Sequence, residues 1–245
     1  MKIYSGTSGF AYKAWKGTFY PEKISPKEML RFYSGRLNTV EINNTFYHMP
    51  TTSVLTSWAD QVGEEFLFAL KAPQRITHLK RLKNVDDETE YLFRSLKTLG
   101  GKLGPVLFQF PKSFRPHPEL LRDFLELIPA GALCAFEFRN PGWLEGEVPD
   151  LLRGKGCSLC IAEDDDEPAG QVVSTAPWGY LRLRRSDYSN ADLSAWAEKV
   201  LSQHWDRAFV FFKHEDGAKG PGLAQRFQEL VDPQERPLKT GTTGS

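Results

Sequence analysis

Between residues 38 and 43 apolar and polar side chains alternate, Val40 and Ile42 on one side and Glu41 and Asn43 on the other. A period of two is the mark of a strand. Apolar runs of strand character recur at 2–6, 65–71 (EFLFALK), 105–110 (PVLFQF), 133–138 (LCAFEF), 157–162, 180–184 (YLRLR) and 207–213 (RAFVFFK). Helical spacing fills the intervals 26–35, 51–62, 86–99, 118–127, 144–153, 191–203 and 223–231. Within 86–99, for example, Tyr91, Phe93, Leu96 and Leu99 recur at helical spacing and Gly100 and Gly101 follow as a stop. The stretch DDDEPAGQ (164–171) offers no apolar stripe on which to build a helix. Eight strands alternating with helices predict parallel pairing through crossover connections. At 245 residues that pattern predicts a single α/β domain closed as a (β/α)8 TIM-type barrel over 1–235, with a disordered tail at 236–245. An open doubly wound sheet is the alternative. It would carry a glycine-rich first turn, and GTSGFAYKAWKG has neither G-x-G-x-x-G nor P-loop spacing.

In a barrel one face of each strand meets the helices and the other meets the interior. If Val40 and Ile42 face the helices, Glu41 and Asn43 point inward. The same phase turns Lys71, Gln109, Glu137, Arg139, Arg182, Arg184 and Lys213 inward, each near the C-terminal end of its strand. Barrel enzymes assemble their sites at that end. Glu163 and Asp164 reach the same rim, and alternation does not decide which of them faces inward. Five cations then outnumber the carboxylates, so the hollow is expected to favour a small anionic or phosphorylated ligand. Glu–Arg pairs also serve as plain ties between strands. A barrel needing only such ties would fill its interior with Val, Ile and Leu. The expected roles are Arg139, Arg182 and Lys71 on the anion, Glu41 or Glu137 as general base, and His78 as acid. Asn43, Tyr47, Gln109, Trp143, Arg184 and Lys213 complete the binding set. The reading is a hydrolase or lyase acting on a phosphate-bearing or other anionic substrate. The alternatives are a non-catalytic nucleic-acid-binding module, with rim arginines on phosphates and loop aromatics on bases, and an inert charged scaffold.

Composition narrows this only slightly. Lys plus Arg and Asp plus Glu are each 31, so the net charge is zero. That argues against a globally basic nucleic-acid binder and against a membrane-surface protein, while leaving a local basic cleft open. The cysteines are three, too few for a disulfide framework. Cys157 and Cys160 in CSLC lie three apart on a strand, on opposite faces, and are expected to pack in the core. The histidines form neither HxH nor HExxH, so no metal and no other cofactor is expected. No leader-like apolar region and no spanning stretch is visible, which predicts a cytoplasmic location and no membrane partner. Aromatics gather in expected loops: Phe10, Tyr12, Trp15, Phe19, Tyr20, Phe46, Tyr47 and Trp143. They either pack over the barrel mouth or stack on a ligand. Nothing in the sequence fixes an oligomeric state.

Five segments in the same order carry a resemblance: GTSGFAYKAWKGTFYP, NTVEINNTFYHMP, FALKAPQRITH, GPVLFQFP and AFEFRNPGW. From about residue 3 to 230 the chain closely resembles the domain of unknown function 72 (YecE-like) family. The resemblance implies a (β/α)8 barrel and brings no established activity. Its pattern covers Glu41, Asn43, Thr45, Phe46, Tyr47, Lys71, Thr77, His78, Gln109, Glu137, Arg139, Trp143 and Arg182. The chain departs from it at Phe10, where Trp is usual, and at Asn140, where His is usual. It departs again at Arg184 and Arg185, in place of His-Gly, and at Lys213 and His214, in place of two amides. These changes weaken a proton-transfer role at 140 or 184 and make the mouth more basic.

Overall fold

The strand-forming stretches hold apolar residues on both faces, which suits a strand buried against helices on one side and an interior on the other. The computed structural model describes residues 1–213 and 216–232. Its strands are β1 (Lys2–Ser8), β2 (Thr39–Ile42), β3 (Leu67–Lys71), β4 (Leu103–Phe110), β5 (Cys134–Phe138), β6 (Ser158–Leu159), β7 (Ile161–Glu163), β8 (Trp178–Leu183) and β9 (Arg207–Phe212). Every pairing is parallel, in the order β6-β5-β4-β3-β2-β1-β9-β8-β7. Helices α1 (Met29–Ser34), α2 (Thr52–Gln61), α3 (Asp86–Leu96), α4 (Pro118–Glu126), α5 (Val148–Lys155), α6 (Asn190–Leu201) and α7 (Lys219–Val231) connect or cover them. This is the expected TIM-type barrel. The expected tail at 236–245 lies outside the described residues, as does His214.

The sixth expected strand is two. β6 pairs with β5 and β7 pairs with β8, and Cys160 stands between them with its N–H donating to Phe136 O at 2.8 Å. On the side of β6 away from β5, a side chain takes the place of a ladder. Thr175 Oγ1 donates to Cys157 O at 2.7 Å and accepts from Leu159 N–H at 2.8 Å. Backbone polar groups buried in a barrel wall need partners, and the hydroxyl supplies both. As the missing apolar stripe implied, no helix forms in 164–177.

The interior is layered. Tyr4 stacks on Phe209 with centroids 4.7 Å apart, and Trp178 meets Phe209 edge-on. Leu67, Ala69, Leu107, Ala135, Tyr180 and Phe211 complete this inner apolar cluster. Gly6 faces the same interior, where a Cβ would lie 2.0 Å from Thr39 O, so only glycine lets β1 run this close to β2. Beyond the apolar cluster, at the C-terminal strand ends, the inward positions turn polar. Outside the barrel, Phe108, Phe110, Phe136 and Phe138 form a stacked row under α4 and Trp143. α7 crosses β1, where Ser5 Oγ donates to Ala224 O at 2.9 Å.

Candidate functional site

Arg182, the inward residue near the end of β8, is the hub of the polar layer. Its Nη1 donates to Glu137 Oε2 at 2.6 Å and its Nη2 to Glu41 Oε1 at 2.9 Å. Its Nε lies 2.9 Å from Glu41 Oε2 but makes no aligned hydrogen bond. Glu41, fully buried, also accepts from Ser8 Oγ at 2.8 Å, Tyr180 OH at 2.8 Å and Asn43 Nδ2 at 3.0 Å. Burial by itself would raise the Glu41 carboxyl, but the Arg182 charge and these donors outweigh it and hold it at about 2. Glu137 is buried at the end of β5, with Arg139 Nε at 3.4 Å and Arg184 Nη2 at 3.5 Å. Burial pushes its carboxyl up as well, and the arginines, Arg182 foremost, bring it below the ordinary value.

Lys71 ends β3 on the same rim, half-buried. Among the described residues no carboxylate oxygen lies within 4.0 Å of its Nζ. The ammonium sits over the Phe46 ring, 4.2 Å from the centroid. Desolvation, followed by the nearby Arg182 charge, lowers the amine to about 8 against the opposing pull of Glu41 and Glu137. His78 packs edge-on against the same Phe46, at 4.8 Å, and its Nδ1 is 2.9 Å from Thr77 Oγ1. Burial and the Lys71 and Arg139 charges hold its imidazole below the ordinary range, hence neutral at pH 7. The connection that carries His78 is irregular. Arg75–Leu79 is a π-helix, and Arg81, Leu82 and Asn84 have φ of 49°, 67° and 50°. Such backbone costs energy and gathers where a side chain must be aimed.

Beside this layer a cleft of about 360 Å³ opens between the ends of β5 and β7 and the helix-free segment after β7. Glu137, Arg139, Asp164 and Arg184 line its polar side, and Pro141, Leu144, Pro168 and Val173 its apolar side. Arg184 reaches from Glu137 to Asp164, 3.5 Å from each, and its buried Nε has no acceptor.

The structure brings Glu41, Asn43, Glu137, Arg139, Arg182 and Arg184 into one contiguous network, with Lys71 and His78 within its electrostatic reach. Gln109 is buried on β4, in register with Glu137. Tyr47 is exposed and meets Phe46 edge-on. Lys213 follows β9 with its side chain in solvent. Between the two candidates at the sixth strand, Asp164 faces the cleft arginine. Glu163 turns outward to Tyr188 OH at 2.7 Å and Trp196 Nε1 at 2.9 Å. Trp143 corrects the expectation of a ring at the binding surface. It is fully buried, stacked on Phe138 at 4.5 Å, with its indole N–H donating to Phe114 O. Trp15 and Tyr20 are likewise packed inside. Two members of the network lie outside the expected site set: Tyr180, which alternation in YLRLR turns inward with Arg182, and Ser8, which lies beyond the expected end of the first strand. Among the described residues no three His, Cys, Asp or Glu side chains converge as a metal set, and no helix is long and apolar enough to cross a membrane.

Residues 4–244 match the family described as protein of unknown function DUF72. The chain is 33% identical over 230 residues to the UPF0759 protein YecE of Escherichia coli K12, covering 82% of this chain and 84% of that protein. A DUF72 family protein from Thermotoga maritima MSB8 superposes with a TM-score of 0.82 at 26% identity, covering 94% of this chain and 99% of that one. A DUF72 family protein from Enterococcus faecalis V583 gives 0.79 at 19% identity, over 94% and 95% of the two chains. A whole-length family match, a relative at this identity and a shared barrel agree: this chain belongs to the DUF72 family.

Proposed function

We propose that this chain is an enzyme of the hydrolase or lyase class that acts on a small phosphate-bearing or otherwise anionic substrate at the C-terminal mouth of the barrel. The observation that carries this reading is the state of Lys71: a half-buried cation beside two more, Arg182 and Arg139, with no carboxylate of its own among the described residues. A bound anion would supply the charge partner that the protein leaves out. Glu41 and Glu137 serve as the platform. Their oxygens are committed to Arg182 and its neighbours, which makes them weak bases and fixes the buried guanidinium whose positive charge lies beneath the mouth. Proton transfer falls to Lys71, whose amine is lowered to about 8, and to His78, whose imidazole is kept below its ordinary value by burial and the Lys71 and Arg139 charges. The adjoining cleft takes the body of the substrate, with Arg139 and Arg184 on its charged end. A nucleic-acid role is less well supported, because Trp15 and Tyr20 spend their faces on the core.

Calorimetric titration with inorganic phosphate tests the anion site. Binding is expected in the wild-type protein and is expected to weaken roughly tenfold or more in Arg139→Ala, the value of one charge-assisted hydrogen bond. Equal binding by both proteins, or none by either, would sink the assignment.

A further inference from the structure

We propose that Lys71 is a covalent catalyst, condensing through Nζ with an aldehyde or ketone carbonyl of the anionic substrate to form an imine; 2-oxo acids are the simplest substrates of this kind. The inference rests on the anion reading above and specifies which anions the mouth would take.

Lys71 is held at the end of a strand, where its backbone is fixed: its carbonyl accepts from Thr45 Oγ1 at 2.6 Å. Its stem is half-buried, and Nζ rests on an aromatic face where a structural lysine would meet a carboxylate. An aromatic face steadies the ammonium without neutralising it or blocking its lone pair once the proton has left. Arg182 and Arg139 stand close enough for their charges to destabilise the charged form, and Arg139, with its side chain 42% exposed, is the one of the two that is open to a carboxylate or phosphate of the reacting molecule. Half of the amine is free base at about pH 8, where an exposed lysine is almost wholly protonated. Desolvation beside other cations is a known route to a nucleophilic lysine.

The step balances without a redox partner. Nζ attacks the carbonyl carbon and the π electrons pass to oxygen. His78, packed on the same Phe46 ring, takes a proton from nitrogen and returns it to that oxygen. A second proton, from solvent, converts the hydroxyl into water, which leaves as the nitrogen lone pair closes the C=N bond. The protonated imine that remains is an electron sink for cleavage at the neighbouring carbon, which is lyase chemistry.

The test uses glyoxylate with sodium cyanoborohydride on the intact protein, followed by peptide mass spectrometry. Carboxymethylation is expected at Lys71 roughly tenfold faster at pH 7 than at the exposed Lys23 and Lys27, with a rate that levels off above about pH 8. Labelling of Lys71 no faster than of Lys23 and Lys27 overturns the inference. If phosphate still binds in that event, the imine chemistry falls and the anion site stands. If phosphate does not bind either, both fall together.

Discussion

One guanidinium carries most of the order in the mouth. Arg182 spans two carboxylates from β2 and β5 that would otherwise face each other in a buried layer. Replacing it with Met removes the cation and leaves both anions without their main partner. The expected cost is about 3–5 kcal/mol, because an orphaned buried charge loses far more than the pair gains. Urea unfolding of Arg182→Met measures this, and a midpoint equal to wild type would contradict it. Much of the network was legible beforehand, since the two-residue period alone turns Glu41, Lys71, Gln109, Glu137, Arg139 and Arg182 to one side. How those charges divide among themselves was not legible. Glu41 gathers donors from β1, from β8 and from the residue just past its own strand, and such convergence depends on curvature that no single strand's pattern contains. Trp143 was misplaced for a similar reason. A ring after NPG turns into the outer core or out to the mouth according to whether a partner such as Phe138 is free to stack.

At the level of elements, the split between β6 and β7 is the main departure from eight plain strands. Residues 157–162 form one apolar run, and nothing local in that run reveals that its first half would lack a neighbour on one side. The partner, Thr175, sits in a loop with no pattern of its own. Thr175→Val keeps the shape and removes both hydrogen bonds, stranding a buried N–H and a buried C=O. A loss of about 1–3 kcal/mol follows for that segment. Hydrogen exchange should find the Leu159 amide opening roughly ten- to a hundredfold more often while amides in β2 and β3 stay protected. Unchanged protection at Leu159 would show that the hydroxyl is dispensable. The helix-free stretch that contains Thr175 also makes one wall of the cleft, so the same irregularity interrupts the strand ladder and opens the cleft.

For the molecule as a whole, equal numbers of acidic and basic residues hide an uneven distribution. The interior layer fixes its carboxylates as anions, and this ties folding to pH. Glu41 titrates at about 2 in the folded protein against an ordinary value of 4.5. Its contribution is therefore complete above about pH 4.5 and is lost as pH falls toward about 2, in total about 3 kcal/mol. Glu137 adds in the same direction. Urea midpoints measured from pH 6 down to pH 3 should drop accordingly, and Glu41→Gln should flatten that dependence while starting from a lower stability. A Glu41→Gln variant that kept the wild-type slope would place the acid sensitivity elsewhere.

The stack of Tyr4, Phe209 and Trp178 has a consequence for traffic through the molecule. With those rings seated across its lower end, the barrel is a cup and not a tube. The opening lies at the other end, where Arg139 and the cleft between β5 and β7 meet solvent. Any guest that stops that opening would shut the charges beneath it away from bulk water, where their field acts almost unscreened.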